Sequence, residues 1–153
     1  MAIRKIMING EEILTKKCKT VENFDQKLWT LLDDMKETLA NQNGVGLAAP
    51  QVGVIRRAVI VDDGDEVLEL INPSVSDFSG TQRDAEGCLS CPGVYGYVTR
   101  PLNCKVHAQD RYGNYFEKEM SEMACRCACH EVDHLDGKLF LELVEEFVDV
   151  EED

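Results

Sequence analysis

The chain has 153 residues and a formal net charge of −13, with 44% hydrophobic and 29% charged residues. That length suits a single domain with its own core, expected over residues 1–153, and the ordinary balance excludes disordered and fibrous classes. The acidic excess opposes nonspecific binding to phosphate backbones or anionic membranes, both of which depend on Lys and Arg.

In chain order, residues 1–20 show no strong period and read as an arm wrapping the body. No apolar run here or later is long enough for a signal peptide or a membrane span, so a cytoplasmic protein is expected. Leu28, Leu31, Leu32, Met35 and Leu39 recur at helical spacing between Asn23 and Asn43, predicting an amphipathic helix capped by Asn23 or Asp25 and stopped at Gly44. Gly44-Val45-Gly46-Leu47-Ala48-Ala49-Pro50-Gln51 follows as a small-residue loop that lets backbone approach closely and ends in a side-chain amide. β-Branched runs from Arg57 to Asp62 and from Val67 to Pro73 flank Asp63-Gly64-Asp65 and predict a hairpin. Two more strands are expected near Asn103–Asp110 and Asn114–Glu119. A helix from about Ser121 to Leu135 stops at Gly137, and apolar spacing predicts a last helical stretch from Leu139 to Val150. Sheet followed by helix gives the α+β class: antiparallel sheets packed around a helix bearing the histidines, with an N-terminal amphipathic helix.

That histidine helix carries His130-Glu131-Val132-Asp133-His134, the pattern H-E-x-x-H. Residues four apart stack on one helix face, so His130 and His134 can hold one metal ion while Glu131 stands beside it as a base. Met123, Cys127, His130 and His134 make this the inward face. Two core histidines satisfied by hydrogen bonds are the bland alternative, but Glu131 then has no packing rationale. His107, inside a predicted strand, reads as structural.

A catalytic site needs a third ligand and an open position, and Cys88 is the best candidate. Gly87 before it, and Pro92-Gly93 after it, set it on irregular, accessible backbone. Cys125, Cys127 and Cys129 compete, yet Cys129 points about 100° away from its neighbour His130. These three read as packing residues, with a second soft-metal or redox site as the alternative.

Three blocks, GVGLAAPQ at 44–51, EGCLS at 86–90 and HEVDHLDG at 130–137, together resemble the peptide deformylase family over most of the chain. The resemblance implies Cys88, His130 and His134 as ligands of one divalent ion, Fe²⁺ in the cell with Zn²⁺ or Ni²⁺ after purification. It implies Glu131 as acid–base, Gln51 and the Leu89 N–H as oxyanion donors, and Val45, Gly46, Glu86, Gly87, Tyr95, Arg126 and Cys127 around the substrate. The implied substrates are formylated nascent peptides, which lose formate to a monomeric enzyme. A zincin-like endopeptidase shares H-E-x-x-H, but no histidine follows His134 to complete its ligands. A non-enzymatic cysteine-rich metal carrier using Cys125, Cys127 and Cys129 is the rival from another class.

The chain departs from the family pattern at Cys129, where glutamine is usual, and at Cys91, where an aliphatic residue is usual. Arg126 is more consequential, because its position helps line the apolar pocket for the substrate methionine. Either it turns outward or pairs with an acid, or it faces the pocket and the preferred first residue is not Met. Glu86, Asp133 and Arg100 read as structural and ion-paired. The acidic end lacks the basic helix by which some members dock on the ribosome, so neither ribosome docking nor direct nucleic-acid binding is expected.

Overall fold

In the computed structural model, which describes residues 2–149, helix α1 spans Gln26–Asn41. Asp25 is the N-cap, accepting from the Leu28 N–H at 3.2 Å, a bond of the kind that contributes about 1 kcal/mol. The helix ends at Asn41, three residues before the expected glycine, and Asn43 takes the left-handed conformation at φ 52°.

Five antiparallel strands follow one another across the sheet: β1 (Gly46–Ala48), β2 (Ala58–Asp62), β3 (Val67–Cys88), β4 (Cys91–Gln109) and β5 (Tyr115–Ser121). A short β6 (Glu146–Phe147) pairs with β4 at Gly96 and Tyr97. Helix α2 spans Glu122–Leu135 and ends before Gly137, whose φ is 76°. β2 shows why the layers form. Val59 and Val61 face a cluster with Cys125, Ala128 and Leu135 of α2, while Ala58 and Ile60 face Leu28, Leu32 and Met35 of α1. A strand buried on both faces needs a continuous apolar run, which Ala-Val-Ile-Val supplies. The N-terminal segment crosses this core, donating from Met7 N to Gln51 O, from Asn9 N to Ser90 O and from Cys18 N to Leu135 O.

The structure corrects the sequence reading in two places. β3 does not stop at Pro73, nor does β4 start at Asn103: both continue into a long ribbon whose two-residue turn is Leu89-Ser90. Register shifts between Ile71 and Ser74, Ser76 and Ser79, and Gly87 and Cys88 break the period-two pattern, and so hid it. The expected helix over Leu139–Val150 is instead a 3-10 turn, Phe140–Leu143, followed by β6. Phe140 is buried while Leu143 and Phe147 are exposed, so the apolar spacing does not mark one buried face. Glu145 N donates to Tyr97 O and Val148 N to Tyr95 O, tying the segment to the ribbon. Val150 and the acidic residues after it lie outside the described residues.

Candidate active site

The β3–β4 ribbon carries Cys88 to its tip, over the face of α2 that presents His130 and His134. Cys88 Sγ lies 3.4 Å from His134 Nε2, and one ligand atom from each of Cys88, His130 and His134 falls within 4.8 Å of the other two. Cys88 is half-buried at the end of β3, just past the register shift at Gly87, so its backbone is irregular although it belongs to a strand rather than a loop.

Glu86, two residues before Cys88, organises the wall beside the histidines. It accepts from Arg100 Nη2 at 2.7 Å and Nε at 3.2 Å, and from Arg126 Nη1 at 2.7 Å, and it pairs closely with His130 Nδ1. Arg100 also reaches Asp133 at 2.9 Å. Burial alone would raise the Glu86 carboxyl, but His130 and Arg100 hold it down at about 2, so it stays ionised. With Nδ1 committed to this carboxylate, His130 is left with Nε2 as the nitrogen free to bind an ion.

Glu131 is buried, and burial pushes its carboxyl up to about 7. Its Oε1 has no hydrogen-bond partner among the described residues. Gly46 of β1 makes the room it occupies: a Cβ there would sit 2.6 Å from Glu131 Oε2 and would collide with Cys127 Sγ. Across from the helix, Gln51 is wholly buried and its amide is fixed. Its Oε1 accepts from Ala48 N at 2.9 Å, which leaves Nε2 directed to Ser90 Oγ at 3.1 Å and toward Cys88 Sγ at 3.5 Å.

These groups border a cavity of about 480 Å³. Of the residues expected at the site, Val45, Gly46, Glu86, Gly87, Cys88, Leu89, Tyr95, Arg126, Cys127, His130 and Glu131 line it, while Gln51 and His134 stand behind its wall. Arg126 does not turn outward; it is 3% exposed, pairs with Glu86 and still forms part of the cavity surface. Met123, grouped with the inward residues from its spacing, is exposed at the rim. His107 takes no part: it bonds Ser76 Oγ and Tyr115 OH at 2.7 Å each. Ser90 is a residue that pattern reading passed over, although it lies within the EGCLS block and anchors Gln51.

The donor set fits a divalent transition ion. One thiol and two imidazoles suit iron, zinc or nickel better than magnesium or calcium. The surrounding charge agrees: burial would pull His130 down, but Glu131, Cys88 and Glu86 drive it up to about 10, marking a place that favours positive charge. His134 moves the other way, to about 3, through burial and the nearby His130 charge.

A family model described as polypeptide deformylase matches residues 3–148. The chain belongs to the polypeptide deformylase family. It is 54% identical to the peptide deformylase of Caldicellulosiruptor bescii over 99% of this chain and 92% of that protein. Identity to the peptide deformylase of Acetivibrio thermocellus is 51%, covering 99% and 89% of the two chains. Among solved structures, the peptide deformylase of Thermotoga maritima superposes with a TM-score of 0.92 at 36% identity, covering 95% of this chain and 99% of that one. The Legionella pneumophila enzyme gives 0.90 at 42% identity, covering 94% and 87%. The sheet and two helices described above are therefore the deformylase fold, and this deformylase carries an arginine in the cavity wall.

Proposed function

We infer that this chain removes the N-formyl group from the N-terminal methionine of newly made polypeptides, releasing formate. The observation that carries the reading is the convergence of Cys88, His130 and His134, from a strand tip and one helix, beside a buried Glu131 with an unpartnered oxygen. In this reading α2 is the central metal-binding helix, and residues 1–153 form one catalytic domain. Cys88 Sγ, His130 Nε2 and His134 Nε2 would hold one divalent ion, Fe²⁺ in the cell and exchangeable for Zn²⁺ or Ni²⁺. Such an ion, when bound, supplies a Lewis acid and brings the pKa of water toward neutrality.

Glu131 takes the water proton and returns it to the leaving amine; a carboxyl near 7 suits both tasks at neutral pH. The Gln51 amide, locked by Ala48, and the Leu89 N–H at the ribbon turn donate to the oxygen on which negative charge develops. Gln51 does not line the cavity; its Nε2 lies 3.5 Å from Cys88 Sγ, and from that side it would donate. Glu86, held by Arg100, fixes His130 and forms part of the cavity wall with Arg126. Gly46, Val45, Gly87, Tyr95 and Cys127 bound the space left for the peptide.

Arg126 favours a second reading of side-chain preference. A guanidinium in the cavity wall opposes an apolar methionine, even when paired with Glu86, so this deformylase would prefer a first residue other than Met. The net charge of −13 supports a monomer that acts without nucleic acid, and a cytoplasmic setting agrees with the described helices, none long and apolar enough to cross a membrane. Anaerobic purification with metal analysis, followed by formate release from a panel of formylated peptides, tests both readings. Release from formyl-Met peptides supports the first, and stronger release from another first residue supports the second. No release from any peptide by iron-loaded protein would overturn both.

A further inference from the structure

Helix α2 carries a second convergence of sulfur. Cys125 and Cys129 lie one helical turn apart, and Cys104 of β4 rises to meet them, with the three Sγ atoms all within 4.8 Å of one another. Cys104 and Cys125 are buried and Cys129 is half-buried, packed against the core between α2 and the sheet. We propose that Cys104, Cys125 and Cys129 form a second metal site, distinct from the Cys88 centre, that takes a soft, trigonally coordinated ion of the Cu(I) class.

The geometry sets both number and kind. Three sulfurs around an ion at about 2.3 Å stand about 4 Å apart, so only a small contraction is needed. The group contains three donors, where a structural zinc site would use four, and soft thiolates select Cu(I). Binding breaks three S–H bonds, forms three metal–sulfur bonds and sends three protons to solvent; no electron moves and the ion remains Cu(I). A packing role explains three small buried side chains, but it does not require their sulfurs to converge from two different elements.

The test uses nickel-loaded protein under anaerobic, reducing conditions, titrated with Cu(I) against bicinchoninate as competitor. One Cu(I) per chain beyond the retained nickel is expected, with three sulfur neighbours and no nitrogen in its X-ray absorption spectrum. Cys104→Ser, Cys125→Ser and Cys129→Gln should each lose that equivalent and keep their nickel, while Cys18→Ala should keep both. Absence of an extra equivalent overturns the site, as does nickel displaced one for one. An equivalent that persists in both Cys104→Ser and Cys125→Ser also overturns it. Should a variant fail to fold, the sulfur count in the unaltered protein decides the question.

Discussion

Helix α2 presents two triads of potential ligands, and their difference shows what separates a reactive centre from a mere binding place. Cys88 and His130 border a cavity of about 480 Å³ with His134 just behind them, a buried carboxylate beside them and a fixed amide behind. Cys104, Cys125 and Cys129 have equal donor count and comparable spacing, yet they lie in the core cluster between α2 and the sheet. Burial pushes Cys125 and Cys129 up to about 12, so both are neutral thiols and poor nucleophiles. On the proposed reading, reactivity at the first triad comes from the adjoining cavity, the Glu131 proton acceptor and the Gln51 and Leu89 oxyanion donors.

The largest effect should follow from removing the proton acceptor. Glu131→Gln is expected to lower kcat for formate release by roughly 10²–10⁴-fold while metal content stays unchanged. A variant that lost its metal instead would make Glu131 part of the ligand set and blur the contrast. Next, Gln51→Ala should cost about 10²–10³-fold in kcat with little change in KM; a change confined to KM would assign Gln51 to substrate binding. Arg126→Ile should raise kcat/KM for formyl-Met peptides by roughly 10-fold. Glu86 would keep Arg100 and His130 as partners, so a fall in kcat/KM would show that Arg126 supports the first triad rather than obstructing it.

Cys104→Ser sharpens the contrast from the other side. Burying a hydroxyl in place of a thiol should lower stability by about 1–3 kcal/mol in denaturant titration, with activity per bound nickel unchanged. A proportionate loss of activity would mean the two triads are not independent. The smallest effect is expected far from both. Burial opposes ionisation of Glu69, but Arg111 and Lys36 hold its carboxyl below the usual range. Its folded pKa is depressed, so its contribution is full above the unfolded value near 4.3 and fades as pH falls through the folded one. Glu69→Gln should therefore destabilise by about 1 kcal/mol at pH 7, with the gap closing below pH 4. A gap that stayed constant with pH would assign the effect to packing.

Much of the first triad was legible because its parts fall in short contiguous blocks whose spacing already states their geometry. His130 and His134 share a face by helical period alone, and Glu86 and Cys88 fall two residues apart in one short block. The ribbon that delivers Cys88 was not legible: its bulges erase alternation, and its outer half is mostly exposed on both faces. The second triad was only half visible. Cys125 and Cys129 pair by helical spacing, but Cys104 joins them through strand pairing opposite Met120, which no local pattern announces. The last turn misled because Phe140 is buried for its contact with Val98 and Cys91, not as one stripe of a helix.

Gly46 has a practical consequence. The proposed base and β1 are in contact across a missing side chain, so one methyl at position 46 would press on Cys127 and on the Glu131 carboxylate before it reached any of the three ligands. Gly46→Ala is thus a brake that acts on proton transfer with the ion still in place. It offers a route to a slowed, metal-loaded protein in which a formylated peptide could be held long enough to see which first residue the cavity accepts.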